Sequence, residues 1–469
     1  MSYDLIPLVK PKVELPLDDS FCPGVLWNRA FIDVVNSSGK SVPFVIGLER
    51  GRGSVSIYKT KVLAPGHEMF SENLSYIERI VKTLLWLRGG YKVIIGGPRE
   101  IGMHIKKVYS PKGKYSFDVN IMSDIYEKPF TVKITDAKEV CHDEEKSVPL
   151  GRHLDGCRIG FDLGASDRKV SAVIDGKAVF SEEVVWDPRN KTNPQYHYHE
   201  IMSALHRAAA RMPRVDAIGC SSAGIYINNR VMIASLFRGV SHSIFKKKVK
   251  NIFLKMRKEW KVPFDVVNDG DVTALAGSMS LNVNSILGIA LGSSEAGGYV
   301  NKDGNITGWL NELAFAPVDF NPDAPVDEWS GDRGCGVQYF SQVAVIRLAK
   351  VAGITLDEKQ TPAEKLKTVQ ELVAKGDERA KKIFETIGCY MGYGVAYYAD
   401  FYDLKHVLIL GRVTSGEGGQ IILQKAQDVL NIEFPELSER IKLHIPDEKS
   451  RRVGQSIVAA SLPVVKVKN

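Results

Sequence analysis

The chain is 469 residues long, 44% hydrophobic and 25% charged, a balance that excludes wholesale disorder and gives room for about two to four structural units. Its 62 basic and 55 acidic residues leave a formal charge of +7, which suits an anionic metabolite, whereas a nucleic-acid protein needs its charge gathered in a patch. The amino-terminal stretch lacks the apolar h-region of a signal peptide and no run approaches a membrane span, so the expected location is the cytoplasm, with no membrane partner.

Residues 1–155 are expected to form a β-rich α+β domain. The alternating runs SVPFVIGLE and GSVSIYKTKVL predict strands. SENLSYIERIVKTLLWLRGG predicts a helix with Ser71 or Asn73 as its cap and Gly89–Gly90 as its stop. YKVIIGGPREIGMHIKKVY reads as strand, turn and helix, and a plain turn explains its GGP as well as an anion site does. KEVCHDEEKSVPLGRHLDG is polar and without period, a candidate linker.

From Cys157 the pattern becomes regular. CRIGFDLG is a strand ending in glycine, and RKVSAVIDGKAVFSEEVVW gives two strands joined by Asp175–Gly176, a strong hairpin signal. A helix follows over residues 195–212, then a short strand in VDAIGCSS. His197 and His199 at the start of that helix have i,i+2 spacing, which suits surface residues better than a metal pair. Residues 245–260 predict one helix with Phe245, Val249, Ile252, Phe253, Met256 and Trp260 on its buried face. Its many lysines lie opposite, so a solvated face is favoured over nucleic-acid or membrane binding. KVPFDVVND is a buried-type strand and VTALAGSM a helix. SILGIALG and GGYVNKDGNITGW then repeat the opening: strand, glycine turn, and a hairpin turning at Asp303–Gly304, with Gly292 in the place of Gly164. The recurrence predicts two α/β halves built alike and facing each other across a cleft.

Each glycine turn directs backbone N–H groups at an anion, and a pair of them suits a triphosphate. The first contains Asp162, Gly164 and Ser166, the second Gly292, Ser293 and Ser294. Either alone is as readily a tight β-turn; two in register favour a nucleotide. Asp162 would hold Mg²⁺, through water. In VPFDVVNDGDVTALAG a strand delivers Asn268 and Asp269 to the start of a helix. Asp269 could take a proton from a substrate hydroxyl while Asn268 orients that substrate, or Asp269 could simply cap the helix. Residue types do not separate these for Asp269; for Asp271 the cap is favoured.

From Cys157 to the end the chain resembles the ROK family (repressors, open reading frames and sugar kinases) of the actin-like ATPase fold. GFDLGASDRKV resembles its DxGGT phosphate motif, VVNDGDVTALAG its NDANAAALGE motif, LGIALGSSEAGGYV its LGTGxGGG loop, and GWLNELAF its GExGH sugar motif. The resemblance implies Asp269 as catalytic base, Asn268, Glu312 and Ser235 on the sugar, and Gly411, in LILGRVTSG, near the nucleotide. It implies duplicated actin-like (ribonuclease H-like) lobes, 156–283 with the C-terminal helix 450–469, and 284–449, beside the accessory domain 1–155. ATP and Mg²⁺ are the implied cofactors.

The departures concern the sugar side. Phe315 replaces the GExGH histidine, and the family's CxCGxxGC cluster keeps only Cys335 of the six cysteines in the chain, which predicts no structural zinc. Ala165 replaces a glycine, Ala223–Gly224 a proline-glycine turn, and Ser235–Leu236 an asparagine-leucine pair. Glu295 brings a carboxylate to the second phosphate loop, where it would repel a γ-phosphate. Two functions follow as expectations: a kinase for a sugar hydroxyl, or a non-catalytic sensor of sugar or nucleotide acting through a protein partner. The N-terminal region lacks the helical periods of a DNA-binding winged helix, so no DNA partner is expected, and a homodimer is left open.

Overall fold

The computed structural model describes residues 9–465 except 141–142, 146–149 and 447, so parts of the candidate linker and of the C-terminal segment lie outside the described residues. The chain forms two compact units. One comprises residues 1–146, 289–297 and 308–445; the other comprises 147–288, 298–307 and 446–469.

The N-terminal region begins with helix α1 (Gly24–Ser37), strands β1 (Ser41–Glu49) and β2 (Val55–Leu63), and helix α2 (Glu72–Arg88). Then come β3 (Lys92–Gly96), α3 (Arg99–Val108), α4 (Ser116–Tyr126) and β4 (Thr131–Thr135), giving a four-stranded sheet in the order β2-β1-β3-β4. Period-2 alternation turns Phe44, Ile46 and Leu48 of β1 into the core. Asn73 does not cap α2; its side chain bonds both the N–H and the carbonyl of Leu63 (2.9 and 3.0 Å). The candidate linker is pinned within its length as well, with Glu144 N–H donating to the Val55 carbonyl (3.0 Å).

In the other unit β5 (Cys157–Leu163), β6 (Asp167–Ile174) and β7 (Lys177–Val185) run antiparallel, and the β6–β7 turn has positive φ at both Asp175 and Gly176, the hairpin conformation that pair favours. Helix α5 (Pro194–Ala209) is capped by the Asn193 side chain and leads to β8 (Ala217–Ser222), which pairs in parallel with β5. After the small β9 (Ile225–Ile227) and β10 (Arg230–Ile233), the helix expected over 245–260 is broken. A short α6 (His242–Ile244) passes through a π-helical turn (Phe245–Val249) before α7 (Ile252–Trp260). The Lys250 N–H bonds the Phe245 carbonyl (3.0 Å), five residues back, and this extra residue still lets Val249, Ile252, Phe253 and Met256 face the core. Strand β11 (Phe264–Asn268) and helix α8 (Asp269–Leu281) complete the sheet order β11-β8-β5-β6-β7.

The remainder holds β12 (Ile286–Leu291), β13 (Glu295–Val300), α9 (Gln342–Val351), α10 (Pro362–Ala374), α11 (Glu378–Tyr398), β14 (His406–Leu410), α12 (Glu417–Glu433), α13 (Pro435–Arg440), β15 (Lys442–His444) and α14 (Glu448–Ala460). Its sheet runs β13-β12-β14-β15. The second hairpin is reduced to a turn at Asp303–Gly304 and a single bridge, Val300 to Ile306. No helix among the described residues is long and apolar enough to cross a membrane.

Candidate functional site

The C-terminal ends of β5, β8 and β11 bring three polar side chains together. Parallel pairing sets Asp162 opposite Ser221, and the Ser221 hydroxyl donates to Asp162 Oδ1 at 2.6 Å. Burial pushes the Asp162 carboxyl up to about 6; the Ser221 bond lowers it in part, and the charge of Asp269 raises it again. Asp269, the first residue of α8, is likewise raised by burial, against a bond from the Gly270 N–H (3.0 Å). Asn268 is the helix cap, with Oδ1 accepting from Gly270 N–H (2.7 Å) and Nδ2 donating to the Gly224 carbonyl (2.7 Å). The capping role that the residues left open for Asp269 therefore falls first on its neighbour. Asp271 is buried and accepts from Tyr299 N–H (3.4 Å).

In the same unit the β5–β6 turn is closed by Gly164 N–H on the Asp167 carbonyl (3.0 Å) and by Trp186 Nε1–H on the Gly164 carbonyl (2.9 Å), while Ser166 stands exposed with its hydroxyl on Asp167 (2.9 Å). Ser235 is exposed in a 3₁₀ turn, Ser235–Phe237. His197, expected on the surface, is instead fully buried beneath that turn, its Nε2 lying 3.0 Å from the carbonyls of both Leu236 and Pro188. Its place and Ser221's hydroxyl on Asp162 were not found from sequence. The second could have been, by aligning VDAIGCSS in parallel with CRIGFDL.

In the other unit the β12–β13 turn is closed by Gly292 N–H on the Ser294 carbonyl (2.9 Å) and held by Gln342 N–H, at the start of α9, on the Gly292 carbonyl (2.9 Å). Ser293 and Ser294 are exposed. Glu295 does not stand with them. It is 2% exposed, with Oε1 accepting from the Tyr398 hydroxyl at 3.1 Å and Oε2 without a partner. Burial pushes it up to about 8, the Tyr398 bond offsetting part of the rise, so the repelling carboxylate expected from sequence is a neutral acid turned inward. Gly411 follows β14 at φ +108°, a conformation that other residues rarely adopt. Glu312 is half-buried, and its N–H donates to the Trp86 carbonyl of α2 (3.0 Å). Phe315 stacks on the Trp86 ring (4.2 Å between centroids) and Cys335 is buried.

Among the described residues no group of three or more His, Cys, Asp and Glu side chains could hold a metal ion. Asp162 and Asp269 are nevertheless hard oxygen donors in mutual repulsion, a pair that fits a Mg²⁺ whose other ligands are phosphate and water oxygens.

A model of the ROK family matches residues 158–460. Among solved structures, a ROK hexokinase from Thermus thermophilus is 18% identical, with 66% of this chain and 97% of that one covered and a TM-score of 0.51. A ROK family transcriptional regulator, a homologue of the Escherichia coli MLC protein, is 16% identical, with 66% and 79% covered and a TM-score of 0.54. At such identities the likeness is one of fold, the actin-like α/β fold, which serves a kinase and a regulator alike. No curated protein matches the chain. With a family model that spans residues 158–460, the chain belongs to the ROK family.

Proposed function

We propose that the protein is an ATP-dependent kinase that transfers the γ-phosphoryl group to a hydroxyl of a sugar or sugar derivative in the cytoplasm, with no DNA partner. What carries the reading is Asp269: a carboxylate at a strand–helix junction, raised in proton affinity by burial, beside a second acid held by a serine. Asp269 takes the hydroxyl proton as that oxygen attacks phosphorus, the bond from the γ-phosphorus to the β–γ bridging oxygen breaks, and ADP leaves. A base of raised affinity holds the proton better at working pH than an ordinary aspartate does. Asn268, with both polar ends engaged, fixes the start of α8 and so the direction of Asp269, and its remaining lone pair is open to a sugar hydroxyl. Glu312 and Ser235 bind further hydroxyls. Gly164, Ser166, Gly292, Ser293 and Ser294 line the phosphates, and Gly411 stands on the adenosine side. Asp162 would hold a Mg²⁺, which when bound would offset the charge of the triphosphate.

ADP release coupled to a colour readout, with ATP·Mg²⁺ and a panel of sugars, tests the reading. The wild type is expected to turn over at least one sugar. Asp269→Asn should lose about 10²–10⁴-fold in kcat while ATP·Mg²⁺ still raises its Tm. Full activity in that variant removes Asp269 as the base, and stabilisation by a sugar with no ADP from any sugar marks a sensor in place of a kinase.

A further inference from the structure

We infer that helix α2 of the N-terminal region is the positioning element of the acceptor-sugar site, holding Glu312 through its terminal carbonyls and the ring of Trp86. The inference rests on the sugar-kinase reading and on the assignment of Glu312 to the sugar.

A helix leaves its last four carbonyls without intrahelical donors, and those of α2 are all accounted for. Gly89 N–H takes the Leu85 carbonyl (2.8 Å), Glu312 N–H that of Trp86 (3.0 Å), Asn311 N–H that of Leu87 (2.9 Å), and Arg50 Nη1 that of Arg88 (3.0 Å). The two central carbonyls thus bond the residue pair that presents the Glu312 side chain. That pair needs holding, because Asn311 sits at φ +52°, in the left-handed region, with its Oδ1 accepting from the Tyr402 hydroxyl (2.9 Å). Side chains fix the same junction from either end. The Trp86 ring stacks on Phe315 at 4.2 Å and its Nε1–H donates to Asp118 (3.1 Å), while Arg88 lies 4.8 Å over the ring of Trp309, whose own Nε1–H donates to Glu145 (3.1 Å). Trp86 is a positioning residue and touches no reacting atom. Its contribution is to keep Glu312 in one orientation before the sugar arrives, so that no ordering cost is added to binding.

Trp86→Ala, Trp86→Phe and Phe315→Ala test this, with the KM for the best sugar, the KM for ATP and kcat measured for each. Trp86→Ala is expected to raise the sugar KM about tenfold or more with the ATP KM within about twofold, and Trp86→Phe, which restores a ring against Phe315, should bring the sugar KM most of the way back. Phe315→Ala breaks the same stack from the loop side and decides the matter if Trp86→Ala does not fold. An unchanged sugar KM in a folded Trp86→Ala or Phe315→Ala enzyme overturns the inference and leaves the kinase reading standing. A wild type that neither phosphorylates nor binds any sugar overturns the kinase reading, and the inference with it.

Discussion

Glu295 shows how a single side chain can mislead when its direction is unknown. Its position, directly after the exposed Ser293 and Ser294, suggests a charge beside phosphate, yet strand alternation sends it inward to Tyr398. The residue types of the site were legible because strand–turn–helix junctions are written locally: NDG after an apolar run, glycine after a strand. What each polar atom bonds is not written locally: the Ser221 hydroxyl on Asp162 follows only once β8 is aligned in parallel with β5, and the Gly224 carbonyl on Asn268 comes from chain far away in sequence. Glu295 also gives a test with a definite sign. In the folded chain burial pushes this carboxyl up to about 8 from an ordinary 4.5, so between those pH values the native state keeps a proton that the unfolded state has lost. Stability from this group is therefore complete below about 4.5 and falls as pH climbs to about 8. Glu295→Gln, neutral throughout, should melt a few degrees above the wild type at pH 8 and level with it near pH 4.5. Equal melting at pH 8 would mean that the carboxyl is ionised and paired.

Helix α2 is buried along nearly its whole length, Lys82 included, and owes that to an ionic cluster rather than to an apolar face alone. Lys82 Nζ lies 3.2 Å from both Asp118 oxygens and 3.4 Å from Asp332, which Arg79 also meets at 2.9 Å. Burial raises Asp332, but the charges of Arg79 and Lys82 outweigh it and hold the carboxyl at about 2. Two cations thus face two anions across α2, α4 and the turn before Cys335. Periodicity reads a lysine in such a helix as solvated, which is why α2 could be placed from sequence and its partners could not. Helices α1 and α4 were not read: α1 opens on Pro23 and α4 on Tyr115, residue types that do not mark a helix start as the Ser71 before α2 does. Lys82→Met leaves the buried Asp118 without its cation and should cost about 3–5 kcal/mol, read from urea unfolding at pH 7. Adding Asp118→Leu should restore part of it; a loss under about 1 kcal/mol in the single variant would show that water reaches the cluster.

From Cys157 to the turn at Asp303–Gly304 the main order of elements was legible because the strand–glycine–hairpin pattern recurs, although the second hairpin keeps only one bridge; β9, β10 and the helices α9, α10, α12 and α13 were not read. Before Cys157 the strands β1, β2 and β3 could be read, but β4 and the neighbours of all four could not, since nothing in SVPFVIGLE announces that residues 1–146 form one compact unit with 308–445. The other unit is closed by chain from far away in the same manner. Its C-terminal helix, α14, packs on a sheet begun about 300 residues earlier, and the contact is backbone against backbone. Gly160 of β5 and Gly219 of β8 are paired in register, and a Cβ on either would come within 1.7 Å of a carbonyl oxygen of α14, that of Ser456 or Ala459. No rotamer relieves such an overlap, because the Cβ is fixed to its own Cα and the oxygen it meets belongs to the backbone of α14. Gly160→Ala must therefore lift α14 or bend β5, two residues before Asp162, at a cost of about 1–3 kcal/mol or more. Calorimetry and amide exchange should show residues 157–281 opening more readily while β1–β4 and α11 keep their protection. A variant with unchanged exchange in β5 and β8 would mean that α14 does not lie on those glycines in solution.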